Sequence, residues 1–166
     1  VTNAGIEPDV LCMAKGIAWG FPFSALGARA EVMNRWPKGS HGGTYGGNAM
    51  GCAAALATID VLTADGFMDG VRARGEQLLA GLTELQRAHD GVVAVRGLGL
   101  MIAAQFDTAA RTSGIVTHCR QHGKLLTMTA GAAGTTMRFM PPLTVSADEI
   151  DLALDALGKA LADSSA

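Results

Sequence analysis

Aromatic residues make up only 5% of this 166-residue chain, charged residues 17%, and cysteine occurs three times. Each scarcity excludes something. Cys12, Cys52 and Cys119 lie far apart in apolar settings, so neither a disulfide framework nor a zinc site is expected; the pattern fits a reducing cytosol and a cytoplasmic protein. The net charge is −2 and no basic cluster occurs, which leaves no electrostatic footprint for nucleic acid. Apolar stretches are interrupted by polar residues or glycine too often to span a bilayer, and no signal-peptide pattern is read. The histidines form no metal-ligand constellation, so no metal is expected; His89, His118 and His122 read as surface positions on helices.

Hydrophobic residues, by contrast, reach 49%, and there are 22 glycines. That is ample material for a core, and it carries no disorder signature. The length allows one domain, or one domain plus a piece of another. Read in order, Asp9–Ala14 has the short, continuous apolar character of a buried parallel strand, and Ser24–Ala28 reads as a second strand. A short helix is expected at Ala30–Trp36. Asn48–Ala64 is an alanine-crowded helix with Asn48 as its N-cap. Gly66–His89 is amphipathic, with Phe67, Val71, Leu78, Leu82 and Leu85 on one stripe.

The remainder reads as a separate small α/β domain. Strands are expected at Val92–Arg96, Leu100–Phe106, Lys124–Met128 and Met137–Met140, with a helix at Ala110–His122. Thr129–Thr136 reads as a small-residue loop. Ser146 starts the last helix, and Glu149 three residues later completes a capping box.

Two stretches concentrate the chemistry. PDVLCMAKG (Pro8–Gly16) delivers Lys15 to a glycine-softened turn, and GGTYGGN (Gly42–Asn48) is a loop of little bulk bearing the Thr44 hydroxyl. A lysine at the end of a buried strand is costly to desolvate. Its local pattern admits two readings: a solvated strand end, or an amine tuned to form a Schiff base with an aldehyde cofactor. The glycine loop likewise reads as flexible surface or as a phosphate cradle, since backbone N–H groups at Gly42 and Gly43 can approach an anion closely. Arg138, just before Pro141 and Pro142, reads as a buried arginine held in a structural ion pair.

The stretches PDVLCMAKGIAWGFPFSALGARAEVM, HGGTYGGNAMGCAAALATIDVL, VRGLGLMIAAQF and MRFMPPLTVSADEID together resemble the class III (omega) aminotransferases, closest to the 4-aminobutyrate aminotransferase branch. The resemblance covers nearly the whole chain in the family's order. It implies the C-terminal part of the fold-type I PLP-dependent transferase fold, an α/β architecture. Residues 1–65 would be the end of the large domain, and residues 66–166 the small C-terminal domain. Family members are longer, and the chain begins at Val1 on what reads as mid-domain sequence, so the C-terminal part of a larger enzyme is expected.

The resemblance also implies roles. Lys15 would carry pyridoxal 5'-phosphate (PLP) as a Schiff base and shuttle a proton; Gly43 and Thr44 would bind cofactor phosphate, Thr44 that of the neighbouring subunit of a homodimer. Arg138 would fork onto a substrate carboxylate. The reaction implied moves an amino group from an amine or amino-acid donor, 4-aminobutyrate-like, to a 2-oxo acid acceptor such as 2-oxoglutarate or pyruvate. An aminomutase or decarboxylating transaminase on the same fold is the alternative, and a truncated, inactive fragment acting as a folded or interaction domain is another. Arg96 is expected to orient the small domain. Two departures stand out: Ala49 replaces a common proline after Asn48, and Gln105 stands where an acidic residue is common.

Overall fold

A computed structural model describes residues 2–164 of the chain, which form two compact units, one up to Phe67 and one from Met68 onward.

The first unit is built on a two-stranded antiparallel hairpin, β1 (Val10–Met13) and β2 (Ala25–Ala28), in register from Val10 opposite Ala28 to Met13 opposite Ala25. The expectation of a buried parallel strand is corrected here. Val10, Leu11 and Leu26 are exposed, and β1 pairs only with β2 among the described residues. An apolar run shows that a strand is suited to cover on both faces; it does not supply the cover. A 3-10 turn, Lys15–Ala18, leads out of β1 and packs against α2 (Ala49–Thr63), with Ala18 buried between neighbours. The short helix α1 (Ala30–Met33) follows β2.

Asn48 caps α2 through its side-chain oxygen, which accepts from the Gly51 N–H at 2.7 Å. The start of this helix therefore survives the loss of the proline after Asn48 by an ordinary side-chain cap. Gly51 is required for packing: a Cβ there would lie 2.4 Å from the Phe23 ring. Gly51, Ala55 and Thr58 are the buried residues of α2, while Met50, Leu56 and Ile59 stand exposed.

The second unit holds the larger core. A four-stranded antiparallel sheet in the order β3-β4-β6-β5 is formed by β3 (Val92–Leu98), β4 (Met101–Phe106), β5 (Met128–Ala130) and β6 (Thr136–Phe139). Ile102, Ala104, Phe106, Met137 and Phe139 are buried, while the residues alternating with them are not. Such alternation gives the sheet one covered and one open face. Helix α4 (Ala109–Gln121) packs on β4, β5 and β6 and against α5 (Ala147–Asp163). Its Ile115 and Cys119 are fully buried.

In α3 (Phe67–Ala88) the expected stripe is buried at Val71, Leu78 and Leu82, with Phe67 and Leu85 half-buried. Gly75 lets α3 rest on the β3–β4 turn, because a Cβ there would sit 2.5 Å from the Gly99 carbonyl oxygen. Gly99 itself adopts φ 55°, a left-handed conformation suited to glycine. The Ser146–Glu149 capping box is present in full, and the two backbone and side-chain hydrogen bonds from Ser146 hold the Glu149 carboxyl below its usual range.

The strand expected at Lys124–Met128 lies further along, at Met128–Ala130. Lys124 turns the chain at φ 52°, and the Leu125 N–H returns to the Cys119 carbonyl at 3.0 Å. Small residues of the expected loop pair instead with β6, Thr129 opposite Met137 and Ala130 opposite Thr136. A strand pairs where a neighbour offers a ladder, and here that outweighs the apolar Leu125–Leu126 pair.

Candidate functional site

Lys15 opens the 3-10 turn directly after β1 and holds φ 56°. A non-glycine residue in that region is strained by one to a few kcal/mol and is found most often at functional sites (about 1–3 kcal/mol). The side chain is exposed rather than buried, so the desolvated amine read from the sequence is not what the chain displays by itself. Desolvation needs covering atoms, and the described residues place few around it. No acidic group pairs with Lys15 among the described residues, although Asp9 on the same hairpin is taken by Arg29 at 3.4 Å. The amine is thus left without an ion-pair partner among the described residues.

Lys15 lies on the rim of a cleft of about 420 Å³ that continues through Gly16, Trp19, Gly20, Phe21 and Phe23. Trp19, also left-handed at φ 42°, went unread in the sequence. Its signal was there: an aromatic four residues past the lysine, bracketed by Gly16 and Gly20.

Gly42, Gly43 and Thr44 lie in an exposed loop that ends in a tight turn, with the Gly46 N–H donating to the Gly43 carbonyl at 3.0 Å. A Cβ at Gly42 or Gly43 would meet nothing within 4 Å, so both N–H groups are sterically approachable. Thr44 makes no hydrogen bond among the described residues, and no bond joins it to Lys15. His41 packs on Trp36 with ring centroids 5.4 Å apart, a shaping contact at the start of this loop.

Arg138 belongs to the second unit, on β6. It is half-buried, where full burial was expected, because its strand face is the open one. Its Nη2 donates to the Met128 sulfur at 2.7 Å, and its buried Nε has no partner. The ion pair that would make it purely structural is missing among the described residues. Arg96 Nη1 donates to Gln105 Oε1 at 2.8 Å. The partner of position 105 is therefore Arg96, a relation no local pattern revealed.

His118 departs from its surface reading. Its Nε2 lies 2.9 Å from Asp163 Oδ2, its Nδ1 is buried without a partner, and its ring packs on His122 at 4.7 Å. This contact ties α4 to the end of α5. Among the described residues no group of histidine, cysteine or acidic side chains could hold a metal ion, and no single helix is long and apolar enough to cross a membrane.

Comparison with known proteins places these features in a family. The sequence profile of "Aminotransferase class-III" matches residues 1–161. Acetylornithine aminotransferase of Methanothermobacter thermautotrophicus is 38% identical over 159 residues, covering 96% of this chain and 40% of that protein. For 4-aminobutyrate aminotransferase of Mycobacterium tuberculosis the identity is 40% over 166 residues, covering 96% and 37%. Among solved structures, a PLP-bound amine transaminase from an uncultivated Pseudomonas species superposes with a TM-score of 0.85 at 31% identity, covering 98% of this chain and 40% of that one. The ornithine delta-aminotransferase of Plasmodium falciparum gives 0.86 at 27% identity, covering 98% and 42%. The chain spans about two fifths of the length of the curated relatives it matches.

Proposed function

The chain belongs to the class-III aminotransferases, and from that premise we propose that it carries the cofactor lysine and the substrate-carboxylate arginine of a PLP-dependent transaminase. The observation that supports this most is Lys15: an unpaired amine held in a strained left-handed turn at the rim of a glycine- and aromatic-lined cleft. The cofactor of the family, PLP, serves as an electron sink when bound. Lys15 fits it, being the one lysine of four that combines backbone strain, a cleft and no acidic neighbour. Lys124 is also left-handed, but it lies on the turn before β5 in the second unit, whereas the hairpin and the glycine loop belong to the first.

In this reading Lys15 would hold the cofactor through its amine and would carry a proton on its Nζ. Gly43 and Thr44 hold phosphate oxygens through a backbone N–H and a hydroxyl, in a homodimer that shares its sites. Arg138 orients a substrate carboxylate; its unsatisfied Nε and weak thioether partner leave the guanidinium free to exchange them for a carboxylate fork. The donor is an amine or ω-amino acid and the acceptor a 2-oxo acid. Relatives named for acetylornithine, 4-aminobutyrate and 5-aminovalerate support that substrate range. Three unpaired cysteines, one of them exposed, support a reducing, cytoplasmic setting.

The test is amino-group transfer between a panel of ω-amino acids and 2-oxo acids by the PLP-loaded enzyme. Lys15→Ala is expected to lower turnover by about a thousandfold or more, as loss of a nucleophile that is also the acid–base group requires. Unchanged turnover in that variant refutes the assignment. The 166 residues alone are expected to give no turnover, since Lys15 is exposed and its hairpin uncovered.

A further inference from the structure

Eight methionines occur in the chain, and Met128 has a chemical surrounding that sets it apart. Strand register places Met128 on β5 directly opposite Arg138 on β6, so the two side chains leave the same face of the sheet. Arg138 Nη2 donates to the Met128 sulfur at 2.7 Å, and its Nε is buried without a partner. Among the described residues no other methionine sulfur accepts from a cation. Met128 is 52% exposed, whereas Met137, next to Arg138 in β6, is fully buried.

A thioether is soft, nucleophilic and a poor acceptor. The guanidinium engages one sulfur lone pair, and exposure leaves the other open to a small oxidant. Attack on hydrogen peroxide forms the S–O bond and breaks the O–O bond. The departing hydroxide takes the proton left on the transferred oxygen and becomes water; sulfur loses two electrons and the peroxide gains them. Arg138 keeps its charge throughout. The product is a sulfoxide, polar where the thioether was apolar, and its oxygen is a far stronger acceptor than the sulfur. Beside a cation with an unsatisfied Nε–H and no ion pair among the described residues, that oxygen makes a charge-assisted hydrogen bond.

We propose that Met128 is a modification site for peroxide, and that its sulfoxide ties down the Arg138 guanidinium and closes it to anionic ligands. The thioether leaves the guanidinium exchangeable; the sulfoxide does not. This rests on the reading in which Arg138 takes a substrate carboxylate, and it makes the affinity for that carboxylate depend on the oxidation state of Met128. Methionine sulfoxide reductases, drawing two electrons from a dithiol and releasing the oxygen as water, return the thioether.

The experiment treats the PLP-loaded enzyme with hydrogen peroxide, then with dithiothreitol to return oxidised cysteines, and maps methionine oxidation by peptide mass spectrometry. Calorimetric titration with pentanoate, an unreactive monocarboxylate, then reads Arg138. The parent is expected to carry a sulfoxide at Met128 and to bind pentanoate about tenfold more weakly or worse, with affinity recovered after methionine sulfoxide reductases. Met128→Leu keeps Met50, Met101 and Met140, which are also exposed, and its Kd is expected to be the same before and after peroxide. Three results overturn the inference while leaving Arg138 its role. These are Met128 unoxidised when Met101 and Met140 are oxidised, Met128 oxidised with the parent's Kd unchanged, and equal weakening in the parent and Met128→Leu. If Arg138→Lys binds pentanoate as tightly as the untreated parent, the carboxylate reading of Arg138 fails and takes this inference with it.

Discussion

The unit up to Phe67 and the unit from Met68 onward are built from similarly apolar sequence and use it differently. The second buries Leu78, Leu82, Ile102, Phe106, Ile115, Met137, Ile150, Leu157 and Leu161 almost completely. In the first, the buried apolar side chains are Ala18 and Ala55, while Val10, Leu11, Trp19, Leu26, Trp36, Met50, Leu56 and Ile59 are exposed. Lys15 and Thr44, to which the proposed function assigns the cofactor, both sit in this thinly buried unit; Arg138 sits on the well-packed one. Left-handed non-glycine backbone occurs in both units, at Lys15 and Trp19 in the first and Lys124 in the second, while nearly all of the buried core lies in the second.

The largest effect that can break this contrast is a cavity. Ile115→Ala, in the middle of the second core, should cost about 2–5 kcal/mol, whereas Leu56→Ala on the exposed side of α2 should change stability by less than about 0.5 kcal/mol. Equal losses by urea denaturation would contradict the difference in burial between the two units. Next comes thiol chemistry. Cys12 is exposed on β1, while Cys119 is buried in α4, and burial pushes its thiol up. Cys12 should react with a thiol reagent about a hundredfold faster or more, Cys119 waiting on opening of the second unit. Comparable rates would place α4 among the loosely held elements.

A smaller effect sharpens the account of α5. Ser146→Ala removes its cap and should cost about 1 kcal/mol. Glu149, held down by the Ser146 backbone and hydroxyl, has a folded-state pKa below its ordinary value of 4.5. Its stabilisation is therefore complete above that value and is lost as pH falls through the depressed one. Glu149→Gln should flatten that acid-side loss in a stability–pH profile, and an unaltered profile would remove the box from the account.

What could be read in advance follows the range of the interaction. The cap at Asn48, the box at Ser146–Glu149 and the α3 stripe are fixed within a few residues, and each is present. Burial of β1 was misjudged because Val10–Met13 encodes suitability for a covered strand, and cover comes from elsewhere. β5 shifted because its ladder partner, β6, outweighed local hydrophobicity. Arg96–Gln105 and His118–Asp163 depend on strand register and helix packing, which sequence distance hides. Lys15 is singled out in the sequence by its place in PDVLCMAKG; its left-handed backbone and the neighbouring Trp19 need coordinates.

The most direct measurement is borohydride reduction of the PLP-loaded enzyme followed by peptide mapping. A single pyridoxyl adduct on Lys15, absent in Lys15→Ala, is the predicted result. An adduct on Lys38, Lys124 or Lys159 instead, or a spread over all of them, would contradict the claim that the strained turn after β1 holds the cofactor.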